Sequence, residues 1–226
     1  MSKIVWDVAG NRVYENGVSH GVLYPMSSTP GTYDKGVPWN GLVSVAQSPS
    51  GAEPSAIYAD NIKYLNLLSA EEFEASIEAY TYPDEFAACD GSLAISAGFM
   101  ATQQTRKTFA LCYRTNVGTD LDPEAGYKLH IIYGALAAPT ESSYETVNDS
   151  PEAMTFSWEL STTPVAITGF KPAAHVVLDS TKVATGKMEA IEAVLYGLDA
   201  TTDPVLAAVD PALLLPDEIA AIIAAE

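Results

Sequence analysis

A two-residue alternation of apolar and polar side chains returns again and again in this sequence. In "FEASIEAYT", Phe73, Ala75, Ile77 and Ala79 fall on one side and Glu74, Ser76, Glu78 and Tyr80 on the other. Successive side chains of a strand point to opposite faces, so such a run buries one face and wets the other. "KTFALCYRT" repeats the pattern with Phe109, Leu111 and Tyr113, and "YKLHIIYGA" with Tyr127, Leu129, Ile131 and Tyr133. "TFSWEL" follows with Phe156, Trp158 and Leu160, and "AAHVVLDS" reads as a further strand. Short strands separated by turn signals predict a mainly β sandwich or barrel. The 12 tyrosines favour strands in the same way. Asn16-Gly17 is a hairpin-turn signal and predicts flanking strands carrying Val13 and Val18. The Gly- and Pro-rich "STPGTYDKGVPWNG" reads as loop.

The period changes near residue 181. "TGKMEAIEAVLYG" sets Met188, Ile191, Val194 and Leu195 at helical spacing, with Gly197 as a stop. "PDEIAAIIAAE" opens with Pro216 and two acids, good chemistry for a helix start. The expected organisation is a β domain over 1–180 and an acidic, partly helical segment over 181–226.

Composition narrows the function classes. At 226 residues with 48 % apolar side chains, the chain can bury a core without staples. Cys89 and Cys112 are not in metal-like spacing and read as reduced, buried small hydrophobes. "MSKIVWDVAG" has no apolar stretch of signal-peptide length, and no run is long enough to span a membrane. A soluble, reducing compartment is expected. The net charge of −18 argues against ordinary nucleic-acid binding, which needs a basic footprint. A protein that lets a polyanion pass without holding it remains allowed.

Little in the sequence points to catalysis. Among His20, His130 and His175, His130 lies in a strand opposite Leu129 and reads as structural. Metalloprotease, nucleophile-elbow, dinucleotide and P-loop signatures do not occur. Neither an enzyme nor a cofactor is expected. Asp120, Asp122 and Glu124 alternate as in a calcium loop but lack its other positions, so a solvated turn and a cation site both stay open. Arg106, Lys107 and Arg114 form a basic cluster, to be neutralised by the many acids or offered to another subunit.

The stretch "QSPSGAEPSAIYADNIKYLN" is of mixed character. Gln47, Pro49, Gly51, Glu53 and Pro54 belong to a Pro-, Ser- and Gly-rich part that reads as linker. Ile57, Tyr58, Ile62, Tyr64 and Leu65 read as buried anchors. Together with "EAYTYPDEF", "NDSPEA" and "FSWE" it resembles the major tail protein of long-tailed, non-contractile bacteriophages, particularly those of Gram-positive hosts, over about residues 4–183, and "LPDEI" beyond that span is similar too.

That resemblance implies a β-sandwich-like barrel with a flanking helix. It implies subunits that close into hexameric rings, and rings that stack into a tube through which DNA passes. Tail terminator, tape measure and tail tip or baseplate proteins would be the partners, and the virion tail the location after synthesis in the host cytoplasm. Residues 47–58 then suit an inter-ring arm, mobile in the monomer, with Pro49, Gly51 and Pro54 giving irregular backbone. Glu74, Ser76, Glu78, Ser157 and Glu159 become candidates for the channel lining, where acids would keep DNA sliding. A carbohydrate- or receptor-binding β-sandwich of a phage particle is the second reading, with Trp39, Trp158 and the tyrosines stacking on sugars.

Overall fold

The computed structural model describes residues 3–144, 146, 149, 153–202, 205, 206 and 208–225. Most of the "NDSPEA" stretch lies outside them. The chain is mainly β, as the alternation requires. Eight strands form one antiparallel sheet: β1 (Val13–Pro25), β2 (Val37–Trp39), β3 (Leu42–Gln47), β8 (Glu74–Ala79), β11 (Phe109–Thr119), β12 (Gly126–Pro139), β13 (Phe156–Thr162) and β14 (His175–Asp179). Their order is β2-β1-β11-β12-β13-β8-β3, with β14 also on β12. Two excursions leave this sheet. One carries β4 (Ser50–Gly51), β5 (Pro54–Ala59), β6 (Ile62–Leu68) and β7 (Glu71–Glu72). The other carries β9 (Leu93–Ser96) and β10 (Phe99–Ala101), after the short helix α1 (Ala87–Asp90).

The two edge strands, β2 and β3, are joined only by Asn40-Gly41, so the sheet curls until its edges approach. A Cβ at Gly21 on β1 would lie 2.4 Å from Leu42 Cδ1 on β3. The expected barrel nevertheless does not close, since β1 and β3 share no ladder. Between them lies β2, three residues long, in which Pro38 has no N–H to donate.

Curling creates two cores. The concave one gathers Leu23, Trp39, Ile77, Phe109, Leu111, Tyr113, Trp158 and Leu160, with Phe86 packed edge-on to Phe109 and Trp158. The convex one gathers Tyr24, Cys112, Leu129, Ile131 and Tyr133 beneath α2 (Thr185–Tyr196) and α3 (Pro216–Ala224). Strands β11 and β12 are therefore buried on both faces, and the alternation of Phe109, Leu111 and Tyr113 against Ala110 and Cys112 divides the two cores. The helices dock through Met188, Ile191, Leu195 and Ile219. The Tyr24 hydroxyl donates to the Leu195 carbonyl at 2.6 Å, and that of Tyr133 to the Leu214 carbonyl at 2.8 Å. Glu218 accepts the Leu215 N–H at 2.7 Å and closes the start of α3. Cys89 and Cys112 are free and buried.

One local expectation fails. Asn16-Gly17 makes no hairpin, because β1 runs unbroken from Val13 to Pro25 alongside β11. The positive φ of Gly17, and that of His20, serve irregularities that shift the register between Asn16 and Val22.

Candidate functional site

The excursion between β3 and β8 is a long antiparallel hairpin rather than irregular backbone. Pro49, Gly51 and Pro54 do not prevent pairing: β4 pairs with β7 and β5 with β6. Asp60 and Asn61, both at positive φ, form the two-residue turn that matches strand twist. At the neck, Gly51 has φ +85°, and a Cβ there would sit 2.2 Å from the Ala70 carbonyl oxygen. Only glycine fits this crossing.

Among the described residues, no element outside the hairpin covers its apolar side chains. Every residue of β6 is exposed, and β5 and β6 pair with no other strand. Directly opposed residues of a ladder share a face, so Ile57, Ile62, Leu65 and Leu67 stand together on one side. Tyr58 and Leu68 are about 70 % exposed. The expected anchors Ile57, Tyr58, Ile62 and Tyr64 are thus unburied. In an isolated chain that costs solubility, and an apolar surface of this kind marks a contact site.

The root of the hairpin is tied to the sheet by a hydrogen bond and a run of stacked rings. Gln47, the last residue of β3 before the hairpin, donates from Nε2 to the Tyr113 hydroxyl at 2.9 Å. The Tyr113 ring stacks on His130 at 4.8 Å, His130 on His175 at 5.4 Å, and His175 on Phe73 at 4.6 Å, where the hairpin returns to the sheet. His130 Nδ1 and His175 Nε2 lie 3.2 Å apart, so one donates to the other. The Thr115 hydroxyl lies 3.0 Å from His130 Nε2. Burial holds the His130 pKa below the usual imidazole value. It pushes His175 down to about 4, with His130 adding to the effect. Both imidazoles are neutral at physiological pH. His130 faces away from Leu129, as its place in the strand predicts. Its partnership with His175, 45 residues away, carries no sequence signal.

A second surface lies beside the root. Register places Ser157 opposite Glu78, Glu159 opposite Ser76 and Ser161 opposite Glu74, while Ser44 on β3 donates to Glu78 at 3.0 Å. Glu74, Ser76, Glu78, Ser157 and Glu159 therefore share one face, turned away from the concave core that holds Ala75, Ile77, Trp158 and Leu160. Glu74, Glu78 and Glu159 are exposed there.

The basic cluster divides. Arg114 lies on the helix-covered face. There it pairs with Glu192 at 2.5 Å, lies 4.2 Å over the Tyr127 ring and donates to the Tyr196 hydroxyl. Its charge is used within the chain. Arg106 and Lys107 precede β11 and are tied to α1, where Arg106 Nε donates to the Asp90 carbonyl and Lys107 N–H to the Ala88 carbonyl. Both are exposed, with no carboxylate in ion-pair reach among the described residues.

Asp120 accepts the Gly10 N–H and Asp122 the Glu124 N–H, which makes the 120–124 stretch a hydrogen-bonded turn. Among the described residues no group of three or more His, Cys, Asp or Glu is placed to hold a metal ion. No described helix is long and apolar enough to cross a membrane. Trp39 and Trp158 are buried and donate to the Thr81 carbonyl and to Asp90, so neither offers a ring to a sugar.

No family model and no curated protein matches the chain. Among solved structures it is similar to one described as the cryo-EM structure of the anti-feeding prophage (AFP) baseplate, 6-fold symmetrised. The identity is 10 % and the TM-score 0.34, over 79 % of this chain and 99 % of that one. At that distance the functional reading rests on the residues themselves.

Proposed function

We propose that this chain is a structural protein of a phage tail, and that it polymerises as stacked hexameric rings into a tube that delivers DNA. The observation that carries this reading is the hairpin of residues 48–72. The eight-stranded sheet holds out two strands whose apolar side chains no element outside the hairpin covers among the described residues. Such a device has a use only where another molecule buries it, and repeated copies of one chain are the simplest partner. In the tube the hairpin reaches from one ring to the next.

The exposed acids on β8 and β13 fit the lumen. Duplex DNA carries one negative charge per about 1.7 Å of axis, and a basic wall would hold it. A wall bearing Glu74, Glu78 and Glu159 repels it and leaves it free to slide. The role is structural and needs no catalytic group or cofactor; tail terminator, tape measure and tip proteins are the further partners, and the virion tail is the location.

The test compares the wild type with a variant in which residues 53–69 are replaced by a short Gly-Ser turn. Light scattering on a sizing column should show polymer growing with wild-type concentration. The variant should stay monomeric and still unfold in a single cooperative transition. Polymers of equal size from both would remove the hairpin from assembly.

A further inference from the structure

The β9–β10 hairpin repeats the design of the long arm with the opposite charge. Leu93, Ile95, Phe99 and Met100 are all exposed, and the two strands pair only with each other. From Gly91 to Lys107 there is no acidic residue, in a chain of net charge −18, and the segment ends in Arg106 and Lys107. The neck of the long arm carries the reverse set: Glu53, Glu71 and Glu72, all exposed, with no basic partner in ion-pair reach among the described residues. Each hairpin is therefore an apolar blade on a charged neck, and the two necks are complementary.

We propose that the β9–β10 hairpin of one copy is the receptor for the β5–β6 arm of the next, resting on the tube reading above. The apolar side of the arm, Ile57, Ile62, Leu65 and Leu67, covers Leu93 and Ile95, which share one face of the neighbour's hairpin. Arg106 and Lys107 close over Glu71 and Glu72. The contact is head-to-tail, so it propagates from ring to ring instead of ending in a dimer. Apolar burial supplies the affinity and the charged necks fix the register. The net repulsion between strongly acidic copies is met at the one surface where opposite charges face each other.

Charge exchange at fixed ionic strength tests this. Arg106→Glu with Lys107→Glu should lower the extent of polymerisation at least tenfold, because two attractions become like-charge contacts. Adding Glu71→Lys and Glu72→Lys in the same chain should restore it. All four side chains are exposed, and the one intrachain bond lost is that from Arg106 Nε to the Asp90 carbonyl, so an unchanged urea midpoint of each variant serves as the control for folding. A second measurement uses Ile95→Cys and Leu67→Cys placed in separate batches. Oxidation of the mixture should give a disulfide-linked dimer that neither batch gives alone, and the native thiols are buried. Wild-type tubes together with undiminished tubes from the reversed variant would overturn this pairing and leave the tube reading standing, as would cross-linking within one batch only. A wild type that never assembles would overturn both.

Discussion

Acidification should loosen the root of the arm before it unfolds the rest of the sheet. His175 is held neutral down to about pH 4, whereas in the unfolded chain it titrates near 6.5. Below 6.5 the unfolded state binds a proton that the folded state refuses, so stability is full above that value and falls as pH drops from about 6.5 to about 4. The loss integrates to about 3 kcal/mol. His130, shifted the same way, adds to it. Glu15 favours the charged form of His130 and Lys128 opposes it, and burial outweighs both. Asp179 and Asp217 are held below the usual carboxylate range, so their contributions disappear only at lower pH. Relief of acidic self-repulsion works in the opposite direction, which makes a difference measurement necessary. Urea midpoints of the wild type and of His175→Phe should be compared at pH 7.0, 6.0, 5.0 and 4.5. The variant keeps the stack between Tyr113 and Phe73 but cannot take the proton, so the wild type should lose about 2 kcal/mol relative to it across that window. Parallel pH profiles would refute the neutral imidazole pair as the clamp on Gln47 and Phe73.

Gly51→Ala should strain the neck by about 1–2 kcal/mol through its positive φ alone. With the Ala70 carbonyl in the way, the arm strands must also shift. Hydrogen exchange should quicken over residues 50–72 and stay unchanged in β11 and β12. Arg114→Ala should cost about 3 kcal/mol in urea unfolding, since it strands a half-buried Glu192 carboxylate and removes a cation from the Tyr127 ring. Assembly should tighten as salt rises. Six copies carry about −108, and a Debye length of about 8 Å at physiological salt falls further on addition. Tubes that dissolve in moderate salt, followed by light scattering, would contradict the dominance of repulsion.

Much of the sheet is legible because a half-buried strand must alternate. Ala75 and Ile77, Trp158 and Leu160, and Phe109, Leu111 and Tyr113 all face the core that their spacing predicts. The placement of Glu78 beside Ser157 follows from the same period once the strands pair. What the sequence hides depends on distant neighbours. Isoleucine, leucine and tyrosine at 57–68 look like core residues, and only the sheet order reveals that no described element outside the hairpin reaches them. Arg114 looks free until Glu192 and Tyr196 fold over it. Asn16-Gly17 has the dihedral freedom of a hairpin turn, but its strand continues along β11 and uses that freedom for an irregularity.

Electron microscopy of the concentrated protein, alone and with tail-tip components, tests the account most directly. Hollow cylinders of stacked six-membered rings, with density from each ring reaching into the one below at the position of residues 48–72, are the expected result. Single particles at every concentration and ionic strength would contradict it.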